Sequence, residues 1–205
     1  MASIGAFMRA STSPVIPGHR LVLRPLEHAD APAWFEYAGN PDVMQHTSSS
    51  VRTLEDLRPI IERFNSHDAG TPIHFAVCTE PEGMLIGTTG FHTVSALNRT
   101  AEVTYDLHPS QWGKGIATAA CAAAASWGFS DQGLVRIQGT VLEANQASIR
   151  VLQRCGFQFE GKLRNFRMVR GEPRDYLLYA LVPGDLPATG RGVDAERTPW
   201  QRPAG

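Results

Sequence analysis

The passage from Ala101 to Ser130 constrains the fold most, because a strand-like segment meets a helix there across two glycines. Residues Ala101–His108 (AEVTYDLH) predict a strand. Residues Ile116–Ser130 (IATAACAAAASWGFS) are dominated by alanine, the strongest helix former. Alanine and Cys121 are small, so we expect this helix to lie close against a sheet. The passage therefore predicts a domain in which helices and strands share one core.

Apolar periodicity, capping residues and turn signals predict the other elements. Strands are expected at 20–26, 73–80, 84–94, 101–108, 134–142, 157–164 and 175–181, and helices at 31–38, 53–64, 116–130 and 146–155. Thr53 and Asp56 resemble a capping box that opens the second helix, although Pro59 favours a kink or a later start. The order of elements predicts an α+β (mixed α/β) fold with one strand–helix–strand crossover at its centre.

Length and composition predict one domain with two appendages. The chain has 205 residues, 42% of them apolar and 19% charged, which suits a single globular core. Residues 1–19 are small, polar and broken by proline, and we interpret them as a loose leader. Residues 184–205 are rich in glycine, proline and arginine, which predicts a disordered tail. The structured domain is then expected to span residues 20–183.

Charge and cysteine content exclude several classes of protein. The 19 Lys and Arg residues against 20 Asp and Glu residues give a net charge of −1, without the basic excess typical of nucleic-acid binding. We find neither an apolar run of membrane-spanning length nor a signal peptide, so we expect no membrane partner and a cytoplasmic location. The three cysteines form no disulfide scaffold and no zinc-ligand spacing, and no metal is predicted.

Gly113 and Gly115, just before the alanine-rich helix, raise the question of a phosphate site. Helix N-termini attract anions, and glycines let the backbone approach a phosphate closely. A tight turn with no ligand would use the same residues. The nucleotide P-loop pattern fails because Gly115 follows Lys114, and the dinucleotide pattern fails because Thr118 stands where its third glycine belongs.

A third pattern fits. Trp112–Ala117 resembles motif A of the GNAT N-acetyltransferases, [QR]-x-x-G-x-[GA], except that tryptophan occupies the first position. The whole block WGKGIAT is similar to the branch of ribosomal-protein N-terminal acetyltransferases, the RimJ/RimL type. Further resemblance to that branch lies in RLVLRPLEHADA, GNPDVMQH, the N-x-x-S…G-F pattern of Asn145–Phe157, and EGKLRNF. The resemblance covers Arg20 to Leu181.

The resemblance implies a mostly antiparallel sheet of about seven strands, split in the middle and flanked by about four helices, with acetyl-CoA in the split. The diphosphate would rest on main-chain N–H groups of Gly113–Thr118, and the pantetheine arm would run beside Ala101–His108. Expected cofactor contacts are Leu107, Trp112, Gly113, Lys114, Gly115, Ile116, Ala117, Thr118, Asn145 and Ser148.

Acetyl transfer to an amine requires a neutral amine. An N-terminal α-amine, with a pKa of about 7.7–8.0, loses its proton more easily than a lysine-like amine at about 10.4. Glu102 is the candidate base, because many family members keep a glutamate near this position, although it could equally be a strand glutamate in a cross-strand pair. Tyr105 and Asp106 are reserves. His108, at the end of the strand, is either a base or simply solvated.

Transfer also requires a stabilised oxyanion and a proton for the leaving thiolate. The resemblance assigns the first to the backbone N–H of Leu107 and the second to Ser148, the serine of N-x-x-S. Ser148 shares a helix face with apolar residues, so we expect it to be buried with a partner, although a helix-start serine can also bond the backbone. Asn145 can be an N-cap, a pantetheine ligand or both, and we interpret Cys155 as a packing residue.

These features predict an enzyme that moves an acetyl group from acetyl-CoA to a primary amine, such as a protein N-terminal α-amine, by direct transfer in a ternary complex. Three alternatives stay open: a non-catalytic acyl-CoA-binding module, an enzyme for small amines such as polyamines or antibiotics, and a nicotinamide oxidoreductase, which Thr118 disfavours. The acceptor is expected between the helices of residues 31–64 and the last two strands. His74 and His92 lie on strands that could face this groove, although a strand histidine is more often a satisfied structural residue. A monomer and a homodimer are both compatible with the sequence.

Overall fold

The computed structural model describes residues 13–16, 18–44, 51–66 and 70–186. Within these ranges it contains seven β-strands and five α-helices. The strands are β1 (Leu21–Pro25), β2 (Ile73–Thr79), β3 (Leu85–Ser95), β4 (Thr100–Leu107), β5 (Arg136–Leu142), β6 (Gln158–Val169) and β7 (Glu172–Leu181). The helices are α1 (Ala31–Ala38), α2 (Pro41–Met44), α3 (Leu57–Phe64), α4 (Ile116–Ser130) and α5 (Gln146–Arg154).

All seven strands form one sheet in the order β1-β2-β3-β4-β5-β7-β6. Every neighbouring pair is antiparallel except β4 and β5, which are parallel. The β4–β5 pairing covers only three residue pairs, from Thr100–Arg136 to Glu102–Gln138. Because β4 continues to Leu107 and β5 to Leu142, the two strands diverge beyond this point. The predicted mixed sheet with a central split is confirmed.

Helices cover both faces of the sheet, and each layer has its own apolar core. One core lies under α4 and α5 and includes Phe91, Ile137 and Leu152. The other lies under α1 and α3 and includes Tyr37 and Ile61. The split between β4 and β5 therefore opens between two packed helical layers.

Small residues let α4 pack closely on the sheet, as the sequence predicts. Cys121 and four alanines of this helix are buried: Ala120, Ala123, Ala124 and Ala125. A Cβ added at Gly128 would lie 2.8 Å from the ring of Phe91, so only glycine fits there without a shift. Trp127 fills the neighbouring space and meets Phe75 edge to face at 5.1 Å between ring centroids. This packing fixes where α4 begins, and the beginning of α4 borders the split.

Some element boundaries differ from the prediction. The helix expected from Thr53 begins at Leu57, because residues 53–58 make i→i+3 turns and Asp56 accepts bonds from the backbone N–H groups of Arg52 and Thr53. The later start leaves Pro59 in the first turn, where proline is tolerated. Strands β6 and β7 are longer than expected, because they pair with each other almost to the turn at Gly171.

The segments interpreted as appendages are partly structured. Ile16, within the expected leader, is 4% exposed and belongs to the larger core. Residues Pro183–Asp185 form a 3₁₀ turn, and Leu186 packs against the same core. Residues 1–12 and 187–205 lie outside the described residues. In the part of the chain that is described, no helix is both long and apolar enough to cross a bilayer.

Candidate active site

A cleft of about 980 Å³ occupies the split in the sheet. Its donor half, on the α4 and α5 side, is lined by Leu107, Trp112, Gly113, Gly115, Ile116, Ala117, Thr118, Asn145 and Ser148. Its acceptor half, on the side of α1 and α3, is lined by Trp34, Phe64, His74, His92 and Arg167. The two halves are continuous, so two ligands that entered from opposite sides would meet in the split.

The loop before α4 has the geometry of an anion cradle. Gly113 and Gly115 both have φ of +77°, in the left-handed region that favours glycine. The first α4 bond runs from the N–H of Ala119 to the carbonyl of Gly115, so the N–H groups of residues 116–118 have no acceptor within the helix. A Cβ added at either glycine would meet no protein atom within 4 Å. These donors therefore border open space in the cleft, which suits a diphosphate.

Ser148 and Tyr105 form a hydroxyl pair in the cleft. The Ser148 Oγ lies 2.8 Å from the Tyr105 Oη, which bridges from β4 to α5. Burial raises the pKa of the Tyr105 phenol well above its usual value, so this group keeps its proton at neutral pH. The expected partner for Ser148 thus exists, although Ser148 itself is half-buried. The Asn145 side chain accepts a bond from the Ser148 backbone N–H at 3.0 Å, which confirms the predicted N-cap.

The exposed edge of β4 presents main-chain groups to the split. The N–H of His108 donates to the carbonyl of Ile86 at 2.9 Å, on the β3 side. Since backbone groups alternate in direction along a strand, the N–H of Leu107 points the other way, into the split. The Leu107 carbonyl accepts a bond from the Trp112 indole at 3.0 Å, which ties the glycine loop to this edge.

The acceptor half is aromatic and holds little negative charge. His74 stacks on Phe64 with 3.8 Å between ring centroids, and both its ring nitrogens lack a hydrogen-bond partner among the described residues. Burial lowers the pKa of His74 to about 3, so this ring is neutral. The one carboxylate among the described lining residues is Asp106, which already accepts bonds from Tyr37 and Thr88. Burial raises the pKa of Asp106 despite these bonds.

Glu102 lies behind the cleft rather than in its lining. Its carboxylate is 2% exposed and accepts bonds from Thr140 and, at 2.9 Å, from the Arg167 guanidinium. The His92 Nε2 lies 3.5 Å from the same oxygen. His92, Thr140 and Arg167 do line the cleft, so they stand between Glu102 and any ligand.

Three other residues singled out from the sequence are not among the lining residues of the cleft. The Lys114 amine donates to the Gln111 side chain at 3.0 Å. His108 accepts a bond from the N–H of Ser110 and so caps a short 3₁₀ turn. The Cys155 thiol donates to the carbonyl of Thr118 at 3.3 Å, in keeping with a packing role.

Residues 20–158 match the family described as Acetyltransferase (GNAT) domain. The chain belongs to the GNAT acetyltransferase family. Among its relatives, the uncharacterized N-acetyltransferase YoaA of Bacillus subtilis is 33% identical over 82% of this chain and 97% of its own length. The chain is therefore an acetyl-CoA-dependent N-acetyltransferase.

Solved GNAT structures share the fold. An acetyltransferase of the GNAT family from Bacillus anthracis has 30% identity and a TM-score of 0.71, covering 82% of this chain and 97% of its own. Mycobacterium smegmatis RimJ, solved in complex with CoA-disulfide, has 27% identity and a TM-score of 0.74, covering 86% of this chain and 88% of its own. The resemblance to the RimJ/RimL type is thus confirmed.

Sequence reasoning missed two residues that this GNAT site brings together with Glu102. Arg167 lies on β6, one residue after the motif EGKLRNF, and Thr140 lies on β5. Neither carries a local signal, because each joins the cluster only through the order of strands in the sheet. The alternation of side chains along β6 would have been the one available hint for Arg167.

Proposed function

We propose that this acetyltransferase transfers the acetyl group directly from acetyl-CoA to the α-amine of a peptide or protein N-terminus, with both substrates bound together. The observation that carries the proposal is the continuity of the cleft, which runs from the glycine loop of the donor half to the aromatic wall of the acceptor half. A direct transfer requires such a shared space, since the two reacting atoms must approach each other without an enzyme intermediate.

In this proposal the donor half holds acetyl-CoA mainly through the backbone. The N–H groups of Gly113–Thr118 bind the diphosphate, and Asn145 and the open edge of β4 hold the pantetheine arm. The free left-handed glycines and the unpaired start of α4 support this assignment. Acetyl-CoA supplies a thioester whose carbonyl carbon accepts the amine nitrogen.

In this proposal, residues around the thioester stabilise the developing negative charge and protonate the leaving thiolate. The N–H of Leu107 donates to the carbonyl oxygen, where negative charge develops during the reaction. The Ser148 hydroxyl gives its proton to the departing sulfur and recovers one from Tyr105, which regains its own from solvent in the cleft. The 2.8 Å contact between the two hydroxyls supports this relay. Cys155 takes no part, because it is not among the lining residues and its thiol donates to the Thr118 carbonyl.

The chemistry of the acceptor half supports a peptide α-amine over a polyamine. A polycation needs several carboxylates, whereas Asp106 is the one carboxylate among the described lining residues and is already bonded. The acceptor half also contains Arg167. Relatives are named for acceptors as different as spermidine and the alanine of ribosomal protein uS5. We therefore infer the acceptor class from the lining residues of this chain. An α-amine also needs the least help in losing its proton.

The test is release of free CoA from acetyl-CoA in the presence of matched amines. We expect turnover with peptides that have a free α-amine, and none with the same peptides acetylated at the N-terminus, even where they contain lysine. Spermidine and an aminoglycoside should be at least about tenfold poorer in kcat/KM, a difference of about 1.4 kcal/mol. A preference for spermidine would contradict the assigned acceptor class, and binding of acetyl-CoA without turnover on any amine would favour the non-catalytic alternative.

A further inference from the structure

A polar cluster around the buried Glu102 forms the wall of the acceptor half next to β4. Glu102 lies at its centre, and His92 is its direct cross-strand neighbour on β3. Thr140 approaches from β5, and Arg167 approaches from β6 with its guanidinium 2.9 Å from the carboxylate. Side chains from three other strands therefore converge on the β4 carboxylate, which is 2% exposed.

The arrangement separates the carboxylate from the ligand space. Glu102 does not line the cleft among the described residues, whereas His92 does. Arg167 and Thr140 already bond the Glu102 Oε1 atom. A proton that leaves an amine in the cleft would therefore meet the imidazole before it met the carboxylate.

The two nitrogens of His92 have different neighbours. Nε2 lies 3.5 Å from the Glu102 carboxylate, which can only accept, so this nitrogen carries the proton of the neutral ring. Nδ1 then holds the lone pair, and it lies 2.9 Å from the Thr93 hydroxyl. With the ring fixed at Nε2, the basic nitrogen is the one turned away from Glu102.

The backbone beside His92 is strained. Thr93 has φ of +51°, a left-handed conformation that a β-branched residue rarely adopts. The β3–β4 register also shifts between His92 and Ser95. Such strain persists only where the surrounding structure enforces it, and bulges commonly redirect a side chain next to an active site.

We propose that His92 is the general base of the transfer and that Glu102 is a positioning residue that holds its ring. This inference rests on the proposed function. The acceptor loses one proton to solvent before it reacts, and its neutral nitrogen loses a second as it bonds to the acetyl carbon and the carbon–sulfur bond breaks. His92 Nδ1 takes this second proton, directly or through one water, and releases it to solvent through the cleft, while Glu102 stabilises the imidazolium. The sulfur takes the proton of Ser148, which solvent restores through Tyr105.

Charged and titratable groups surround His92 on every side that the structure describes. They are Glu102 on β4, Arg167 on β6, His74 on β2 and, across a neighbouring groove, Arg63 on α3. Burial lowers the pKa of His92, Glu102 raises it and Arg167 lowers it, and the balance lies below its ordinary value of 6.5. The ring is therefore neutral at pH 7 and able to accept a proton.

The test is the pH dependence of kcat/KM between pH 5 and 9, measured on the full chain with a peptide acceptor. For the wild type, we expect a plot of log kcat/KM against pH to have slope one below the pKa of the amine and slope two below the pKa of His92. The pKa of His92 is the lower break in this plot. His92→Gln should lower kcat/KM about 100-fold and remove the lower break. Glu102→Gln should move that break to lower pH, because the carboxylate that raised the pKa of His92 is gone.

His28→Gln is the matched control, since His28 is an exposed histidine near Glu62 and is not among the lining residues of the cleft. It should leave the profile unchanged. CoA affinity, measured by calorimetry, should be unchanged in His92→Gln, and a wild type that neither binds CoA nor turns over would overturn the proposed function instead. The His92 proposal is overturned if His92→Gln keeps the lower break or changes KM alone. If His92→Gln does not fold, the test is the pH of the lower break in Glu102→Gln. A lower break at the wild-type pH in that variant overturns the proposal.

Discussion

The two halves of the cleft present different parts of the chain to a ligand. The donor half presents main-chain groups from two short stretches, the glycine loop with the start of α4, and the open edge of β4. The acceptor half presents side chains from α1, α3, β2, β3 and β6. Main-chain recognition depends on local conformation, so one motif can specify it. Side-chain recognition depends on which elements the fold brings together, and it can change without disturbing the donor half.

The halves also differ in how their polar groups are satisfied. Ser148 and Tyr105, where the donor half faces the split, bond each other. In the acceptor half the buried ring of His74 has no hydrogen-bond partner among the described residues, and it is held by stacking on Phe64. Three substitutions test this difference between the halves.

Gly115→Val has the largest expected effect. Valine at φ of +77° costs about 1–2 kcal/mol in conformation, and its side chain would occupy the open space beside the N–H groups of α4. We expect acetyl-CoA affinity to fall at least about 100-fold by calorimetry, or about 2.7 kcal/mol.

Gly83→Val is the matched control, because Gly83 also has positive φ and open surroundings but lies in the β2–β3 turn. It should lose similar stability and keep its affinity for acetyl-CoA. Unchanged affinity in Gly115→Val would remove the glycine loop from the donor half.

Ser148→Ala tests the hydroxyl pair at the meeting point of the halves. We expect kcat to fall about 50-fold, with the affinity for acetyl-CoA changed less than about threefold, because the proton donor is lost while the backbone contacts remain. Tyr105→Phe should act in the same direction.

The double variant should be little worse than the more damaging single one, because the two hydroxyls act as a unit. Losses in kcat that multiply would show that the hydroxyls act separately. An equal loss in binding would count against Ser148 as the proton donor.

His74→Phe tests whether the acceptor half uses this ring for packing alone. The pKa of His74 is about 3 when folded against about 6.5 when unfolded, so the unfolded chain binds more protons between these values and the wild type loses stability as pH falls below 6.5. Phenylalanine removes this loss.

The stability of His74→Phe relative to the wild type should therefore rise by about 2 kcal/mol from pH 7.5 to pH 5.0, measured by urea unfolding. His28→Gln serves as a surface control. Acceptor KM should change less than about threefold. A gain that does not depend on pH would show that the folded chain takes up the proton, and a large rise in KM would make His74 an acceptor ligand.

Much of the donor half is predictable from the sequence for a physical reason. Gly113, Gly115 and the alanine run determine a left-handed loop and a close-packed helix within 18 residues of chain, and Asn145 forms the N-cap expected of it. Glu102 shows where such reasoning ends. The sequence predicts that Glu102 lies on a strand. It does not predict that the residue is buried behind His92 of β3 or that it bonds Arg167 of β6, because both strands are far away in the sequence.

The sequence alone determined the mixed sheet, the position of its crossover and the backbone cradle at the start of α4, because periodicity, glycine and capping residues act over a few neighbouring positions. The tertiary structure alone decided which side chains face the acceptor, because His92, Thr140 and Arg167 meet Glu102 only after four strands take their places in the sheet. Local rules set the backbone, and long-range packing sets the chemistry that surrounds it.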